Sequence, residues 1–440
     1  MSLNQHDLVL IKKKQRSDWV SCQSITENLY QLYSNHYGKS HIKVFTVEPE
    51  QNPYQLYQIA KEILKVKPKK IVWVDHQPHP HELIRIIHGL IEKSLTRLEY
   101  PQLLFHLFGD FTLQAPQWLS IHEILKNFSV KFLVASHAQK GLLDHFLAPT
   151  DRSTVLPFPV NETAFYFSEI ERQEFRQKHQ IEDQTPALLY TGRLSRQKNI
   201  IELIQNFLAI KAHLPSGTKL FIAGDFDDLN IPFLGLTGKL GSFQKNWLKV
   251  MPSHSTGEIV YLGNLDSEML RMAYNGCDLF CSMSTHNDED FGMSPAEAAM
   301  TGMPLLLSRW GGYQSFKEYL KDSCNLVEID DALLRLSPRS IDLQKKILFS
   351  LQSLPLSDAE RHNQMALAQK SLSLTNLTKE LSVADESRGH EKFSGFLYEL
   401  DKLANAFTMN PRAPFRDKRG GFNEHYFKVY QAYFNAPGLK

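Results

Sequence analysis

Cysteine is scarce in this chain, with only 4 in 440 residues. Cys22, Cys277, Cys281 and Cys324 show no CxxC spacing and are too few for a disulfide framework. Charge of one sign is also missing. Its 49 Lys+Arg stand against 48 Asp+Glu for a formal net charge of +1, without the basic excess of a duplex nucleic-acid binder. No run of about 18 apolar residues occurs, so no segment is expected to span a bilayer. Met1 to Asp7 is polar and lacks an apolar signal core. With so few cysteines, this predicts a protein of the reducing cytoplasm. No short internal repeat at solenoid periods is present either.

What remains is the balance of an ordinary globular protein, 42% hydrophobic and 22% charged, long enough for two domains with their own cores. Leu8–Ile11, Lys43–Val47, Ile71–Val74, Leu103–Leu107 and Phe132–Ala135 read as short buried strands. Helical patterns at Ile25–Tyr37, Tyr54–Val66 and Glu82–Glu92 separate them, and Thr154–Asn161 reads as an exit strand and linker. The rhythm restarts with strands at Ala187–Tyr190, Lys219–Ala223, Ile259–Leu262, Leu279–Ser282 and Leu305–Ser308, and a helix at Ile200–Ala212. This predicts two doubly wound α/β domains with a cleft between them, ligands sitting at the carboxyl ends of the strands. The expected boundaries are 1–175 and 176–423. A polar region, Glu328–Gly389, should pack as helices on the second domain. A basic loop over Asn410–Asn423 precedes an aromatic helix pattern at Tyr426–Phe434, and residues 424–440 are a candidate to complete the first domain.

Two stretches carry chemistry. In Gly192-Arg193-Leu194-Ser195-Arg196-Gln197-Lys198-Asn199 a strand ends and a helix opens. Arg193 and Lys198 then stand at a helix N-terminus, where free N–H groups and the dipole favour an anion such as a diphosphate. Solvated surface charges are the competing reading. In His286-Asn287-Asp288-Glu289-Asp290-Phe291-Gly292-Met293-Ser294-Pro295-Ala296-Glu297, two glutamates are separated by seven residues. Each carboxylate can accept hydrogen bonds from a vicinal diol, so Glu289 and Glu297 could grip two sugars of one ligand. Ser294 to Glu297 is also a capping-box pattern, which leaves Glu297 open to a purely structural role.

Together these stretches resemble the GT-B glycosyltransferases, specifically the retaining family 4. The family has a Gly-Arg turn followed by a lysine, matched by Gly192, Arg193 and Lys198, and then Glu-x-Phe-Gly-x4-Glu-Ala, matched by Glu289, Phe291, Gly292, Glu297 and Ala298. Phe221 to Asp225, Val260 to Asn264 and the Gly311-Gly312 pair resemble its other landmarks, in the right order. The N-terminal half is looser. Asp18-Trp19-Val20-Ser21 stands where the family usually has a Gly-Gly loop, and Pro159 replaces a linker glycine. Val72 to Pro78 resembles a strand end that often carries a donor-facing histidine, here His76.

The resemblance implies a GT-B fold of two Rossmann-like domains facing a cleft. It also implies a retaining hexosyltransferase that moves a sugar from a nucleotide-diphosphate donor to an acceptor without a metal or other cofactor. Arg193 and Lys198 would hold the diphosphate, Glu289 the donor sugar, Glu297 the ribose, and His76 would face the sugar. Gly192, Asp225, Asn264, Leu265, Phe291, Gly292 and Met293 complete the expected donor site, with UDP or GDP as the nucleotide. Glycan, lipid and small-molecule acceptors stay open, as do a non-catalytic nucleotide-sugar binder and an epimerase of the same fold.

Other clusters read as structural. His76, His79 and His81 lack a carboxylate or cysteine partner at ligand spacing. His106 and Asp110 are alternative cleft residues or an exposed loop. Asp225-Phe226-Asp227-Asp228 contains a DxD that reads as a turn. Gly235, Gly238 and Gly241 do not follow a strand. Leu240, Phe243, Trp247, Leu248 and Met251, with Lys239, Lys245 and Lys249, form an amphipathic stretch that reads as a packed helix. Its alternative, together with the basic Lys12 to Arg16, is a peripheral contact with the inner face of a membrane.

Overall fold

The central apolar runs, such as Leu8–Ile11 and Ala187–Thr191, become strands covered on both faces, whereas edge runs keep exposed residues such as Lys43 and Tyr261. The computed structural model describes residues 8–436 except 15–19, 75–78, 96–97, 152, 229–240, 252–256, 332–334, 387–390 and 412. In the first unit, Leu8–Lys13 (β1), Ile42–Val47 (β2), Lys70–Trp73 (β3), Gln102–Leu107 (β4), Val130–Val134 (β5) and Thr154–Val155 (β6) form a sheet ordered β2-β1-β3-β4-β5-β6. All neighbours are parallel. Leu8, Val9, Leu10 and Ile11 are fully buried, each side chain contributing about 1.5–3 kcal/mol of burial. The expected exit strand shrinks to the two residues of β6.

In the second unit, Ala187–Thr191 (β7), Lys219–Ala223 (β8), Ile259–Gly263 (β9), Leu279–Ser282 (β10), Leu305–Ser308 (β11) and Cys324–Val327 (β12) form a parallel sheet ordered β12-β11-β10-β7-β8-β9. The strand order therefore reverses between β7 and β10. At that switch point the loops leaving the two strands diverge to opposite faces and leave a crevice beyond their carboxyl ends. The core between this sheet and the helix Ile200–Ala209 holds Leu188, Tyr190, Leu203, Phe207 and Ile222, along with Phe243 and Trp247.

The chain divides into compact units Met1–Pro159 with Leu374–Pro411, and Val160–Ser373 with Arg412–Lys440. This differs from the expected boundaries in three ways, each with a packing cause. The first unit ends at Pro159 rather than at 175, because the helix Glu169–Lys178 packs on Ser267–Gly276 of the second. The helix Leu374–Glu386, expected on the second unit, packs against Val20–Tyr37 of the first. The terminal helices Glu424–Val429 and Gln431–Phe434, a candidate to complete the first unit, belong to the second. There the Tyr433 ring meets Trp310 edge-on at 5.4 Å, and Gln314 Nε2 donates to the Tyr433 carbonyl at 2.8 Å.

The helices Ser340–Leu351 and Asp358–Leu372 pack in the second unit as expected. All four cysteines are free, and no described helix is long and apolar enough to cross a membrane.

Candidate functional site

Three loops that leave β7, β8 and β9 stay paired beyond their strands. Gly192 N donates to the Ala223 carbonyl at 3.0 Å, Leu194 N to that of Asp225 at 2.8 Å, and Gly224 N to that of Gly263 at 2.8 Å. A Cβ at Gly224 would lie 1.9 Å from the Gly192 carbonyl oxygen, so only glycine lets the two turns run this close. The arrangement presents Arg193, whose guanidinium pairs with Asp227. Tyr190 supports the turn from beneath by donating its hydroxyl to the Arg193 carbonyl at 2.8 Å. The DxD segment is a turn, as expected, but a working one. Asp227 holds Arg193, while Asp228 accepts from the Phe243 N–H at 2.9 Å at the start of the helix Ser242–Val250. Asp225 precedes both in the loop, its carbonyl taken by Leu194 N.

Lys198 closes a short 3-10 turn, and Asn199 follows in the left-handed region at φ 51°. Asn199 is buried and its Nδ2 donates to the Met283 carbonyl at 2.8 Å and to Thr285 Oγ1 at 3.0 Å. The residue thus staples the β7 turn to the β10 loop across the switch point. That staple brings Lys198 Nζ to 2.5 Å from Glu289 Oε2, with side-chain exposures of 16% and 7%. His286, buried in the same loop, is held well below its ordinary pKa by burial and by Lys198 and Arg193, so it stays neutral. Each of the two cations therefore has one carboxylate partner, and an incoming diphosphate would have to share or displace it.

The β11 loop locks Glu289 from the other side. Gly312 N donates to the Glu289 carbonyl at 2.7 Å. A Cβ at Gly312 would meet Asp290 O at 2.1 Å and Phe291 N at 2.3 Å, so the loops touch through bare backbone. Tyr313 donates to or accepts from Ser282 Oγ at 2.8 Å, and burial with Glu289 nearby keeps its phenol protonated. Phe291 is fully buried against Phe316 at 5.3 Å. Gly292 precedes the helix Met293–Met300, and Met293 opens it.

Glu297 does not close the capping box that its spacing permits. Gly292 is the N-cap and no side chain caps the helix. Instead the Glu297 carboxyl is buried and accepts from the Tyr274 hydroxyl at 3.2 Å, which also meets Thr191 Oγ1 at 2.8 Å. Burial pushes its pKa from 4.5 up to about 7, only partly opposed by the Tyr274 hydrogen bond. The folded state therefore retains a proton that the unfolded chain releases as pH rises from 4.5 towards 7. Its contribution is fully present below the unfolded pKa and is lost through the folded one, roughly 3 kcal/mol in all. Denaturant unfolding of the wild type and Glu297→Gln at pH 5 and pH 8 should show the variant gaining relative stability at the higher pH. A constant difference would contradict this.

Of the remaining expected residues, Asn264 and Leu265 follow β9, with Asn264 exposed. His76 lies outside the described residues, as do Asp18, Trp19, Gly235 and Gly238. His79 packs edge-on against Trp118 at 4.3 Å, with its Nδ1 3.2 Å from that of His81. Neither His106 nor Asp110 is an exposed loop residue. His106 is buried, 2.8 Å from the Tyr33 hydroxyl, with its pKa lowered to about 3 by burial, and Asp110 caps its own turn by accepting from Thr112 N at 3.0 Å. Phe243 and Trp247 bury the amphipathic helix in the core. Among the described residues, no group of three His, Cys, Asp or Glu is arranged to hold a metal. Sequence reasoning read Asp227 as part of a turn without its Arg193 partner, and gave no role to Asn199, Tyr274 or Tyr313. Only Asn199 carries a local signal, since asparagine tolerates the left-handed region.

Residues 171–326, which contain all of this site, match the family described as Glycosyl transferases group 1. The lipopolysaccharide 1,2-N-acetylglucosaminetransferase of Salmonella typhimurium is 23% identical over 257 residues, 58% of this chain and 61% of that protein. The chain thus matches less than two thirds of that relative's length. An uncharacterized glycosyltransferase of Methanocaldococcus jannaschii is 25% identical over 288 residues, 62% of this chain and 68% of that protein. Among solved structures, HepE of Anabaena in complex with UDP is similar at a TM-score of 0.61 and 15% identity, over 87% of this chain and 100% of that one. With its two parallel six-stranded sheets, the chain has the GT-B fold, and its residues 171–326 are similar to group 1 glycosyl transferases.

Proposed function

We propose that this protein is a retaining glycosyltransferase of family 4 type, transferring a hexose from a nucleotide-diphosphate sugar without a metal. The observation that carries the proposal is the pairing of Arg193 with Asp227 and of Lys198 with Glu289 at one switch point. It sets two cations and an acidic sugar ligand where α/β sheets bind nucleotides. The complex of the Anabaena neighbour with UDP supports a nucleotide ligand and makes the uridine series the first to try.

In this account the base lies along Asn264 and Leu265, and the buried Glu297 accepts from the ribose diol. The diphosphate draws Lys198 from Glu289, and Arg193 from Asp227. Glu289, so released, accepts from the hydroxyls of the donor sugar. As the anomeric C–O bond breaks, charge grows on the leaving phosphate, and the two fixed cations stabilise it more than the ground state. The acceptor hydroxyl attacks the anomeric carbon from the same face and passes its proton to the leaving phosphate oxygen. No protein nucleophile is required.

The test is release of free nucleotide from UDP-, GDP-, ADP- and TDP-sugars in EDTA, with and without pooled glycan and lipid-linked saccharide acceptors. Acceptor-dependent release from one series is expected. Release that is independent of acceptor in every series, or none at all, would reject transfer.

A further inference from the structure

Beside the turn that holds Lys198 lies a pocket that the donor scheme does not use. Arg196, Gln197, Asn287, Arg335 and Phe422 line it, all within the second unit. Two of its groups are conspicuously unfulfilled. Gln197 is 7% exposed and Asn287 2%, yet Gln197 Oε1 and Asn287 Nδ2 have no hydrogen-bond partner among the described residues. Leaving such atoms buried and unpaired costs about 1–3 kcal/mol each, a cost that a polar ligand atom reaching them would remove. One is an acceptor and the other a donor, the pair that a sugar hydroxyl satisfies by giving to the first and receiving from the second.

The charge around them is positive. Arg335 is neutralised by Glu202 at 2.8 Å and tied to the Asn199 side chain. Arg196 is exposed and makes no ion pair among the described residues. Arg416 lies over the Phe422 ring at 4.0 Å, and its pKa is lowered chiefly by burial, with the Arg196 charge adding to it. The nearby Asp417 carboxylate is occupied with the N–H groups of Arg419 and Gly421. Phe422 is buried between Arg416 and the Tyr426 ring stacked on it at 3.9 Å, so what the pocket lining offers is an amide acceptor, an amide donor and an unneutralised guanidinium.

We propose that this pocket binds a sugar bearing an anionic substituent, a phosphate or a carboxylate, with Arg196 on the charge and Gln197 and Asn287 on a hydroxyl. Gln197 precedes Lys198 in the chain and Asn287 stands two residues before Glu289, so the pocket is lined by the same two loops that carry the donor-site pair. Its role as part of the acceptor rests on the transferase reading, whereas the binding itself does not.

Calorimetric titration of the full chain with glucose 6-phosphate, glucuronate, glucose and inorganic phosphate tests it, alongside a separate titration with UDP. At least one anionic sugar should bind roughly tenfold tighter than both glucose and phosphate, and Arg196→Gln and Asn287→Leu should each weaken it about tenfold with UDP affinity unchanged. Preference for glucose 6-phosphate assigns a phosphate, and preference for glucuronate a carboxylate. Arg196 is exposed, so its variant tests the charge even where Asn287→Leu does not fold. Equal affinity for glucose, equal affinity for inorganic phosphate, no binding, or binding indifferent to Arg196→Gln would overturn the proposal. Absence of binding by UDP, GDP, ADP and TDP alike would reject the donor reading and leave this pocket standing.

Discussion

Replacing Lys198 with methionine is expected to lower turnover by about two to three orders of magnitude, the usual loss when one preorganised charge is removed from a developing anion. It should also destabilise the protein, for a different reason. Glu289 is 6% exposed, and without Lys198 its carboxylate is buried with no counter-charge. Breaking one side of such a pair costs about 3–5 kcal/mol, whereas removing both sides is often close to neutral. The double variant Lys198→Met/Glu289→Gln should therefore regain most of the lost stability and none of the activity. Thermal unfolding beside initial rates separates the two effects. Recovery of activity in the double variant would mean that the pair serves the fold alone.

Gly312→Ala should be nearly as damaging, although it adds one methyl group. That methyl would sit 2.1 Å from Asp290 O and 2.2 Å from Asp290 C, atoms of a backbone that cannot rotate away. The β10 and β11 loops must separate, and the bond from Gly312 N to the Glu289 carbonyl at 2.7 Å is lost. A destabilisation of about 2–3 kcal/mol is expected. Turnover should fall about a hundredfold, because Glu289 shifts by something near an ångström. Gly89→Ala is the control: it lies in the helix His81–Glu92 with nothing within 4 Å of its added Cβ. There alanine should stabilise by up to about 1 kcal/mol and leave activity unchanged. Denaturant unfolding and kcat of both variants decide the matter, and a Gly312→Ala enzyme with wild-type kcat would show that the loops tolerate separation.

The two sheets were the most legible part of the chain, although β12 (Cys324–Val327) was not anticipated. Strands at Lys219–Ala223, Leu279–Ser282 and Leu305–Ser308 are apolar runs bounded by polar turns, and they form where the pattern places them. The helix Glu169–Lys178 was invisible for a physical reason. Its buried face consists largely of Arg172 and Arg176, which both pair with the buried Asp278, so it lacks an apolar stripe. The exit strand was over-read because Leu156, Phe158 and Val160 are buried outside any sheet. Domain membership of 374–411 and 424–436 depends on which neighbour each helix finds, and helical periodicity does not encode that.

At the site, Arg193, Lys198, Glu289 and Glu297 were legible because they stand at strand ends within spaced motifs. Their partners were not. Asp227 lies 34 residues from Arg193, and Tyr274 lies 23 from Glu297, distances that only the folded sheet closes. Glu297 shows the limit of local reasoning, since the capping box it could form is set aside in favour of Tyr274.

The most direct measurement is calorimetric titration of the protein with UDP, GDP, ADP and TDP in EDTA, repeated on Arg193→Ala and Lys198→Met. The account predicts that one nucleotide binds without metal and that each variant weakens it at least tenfold, a loss of about 1.4 kcal/mol or more. Binding that appears only with Mn²⁺ would move the site to Asp225 and Asp227. Tight binding indifferent to both variants would contradict the assignment of the diphosphate to this turn.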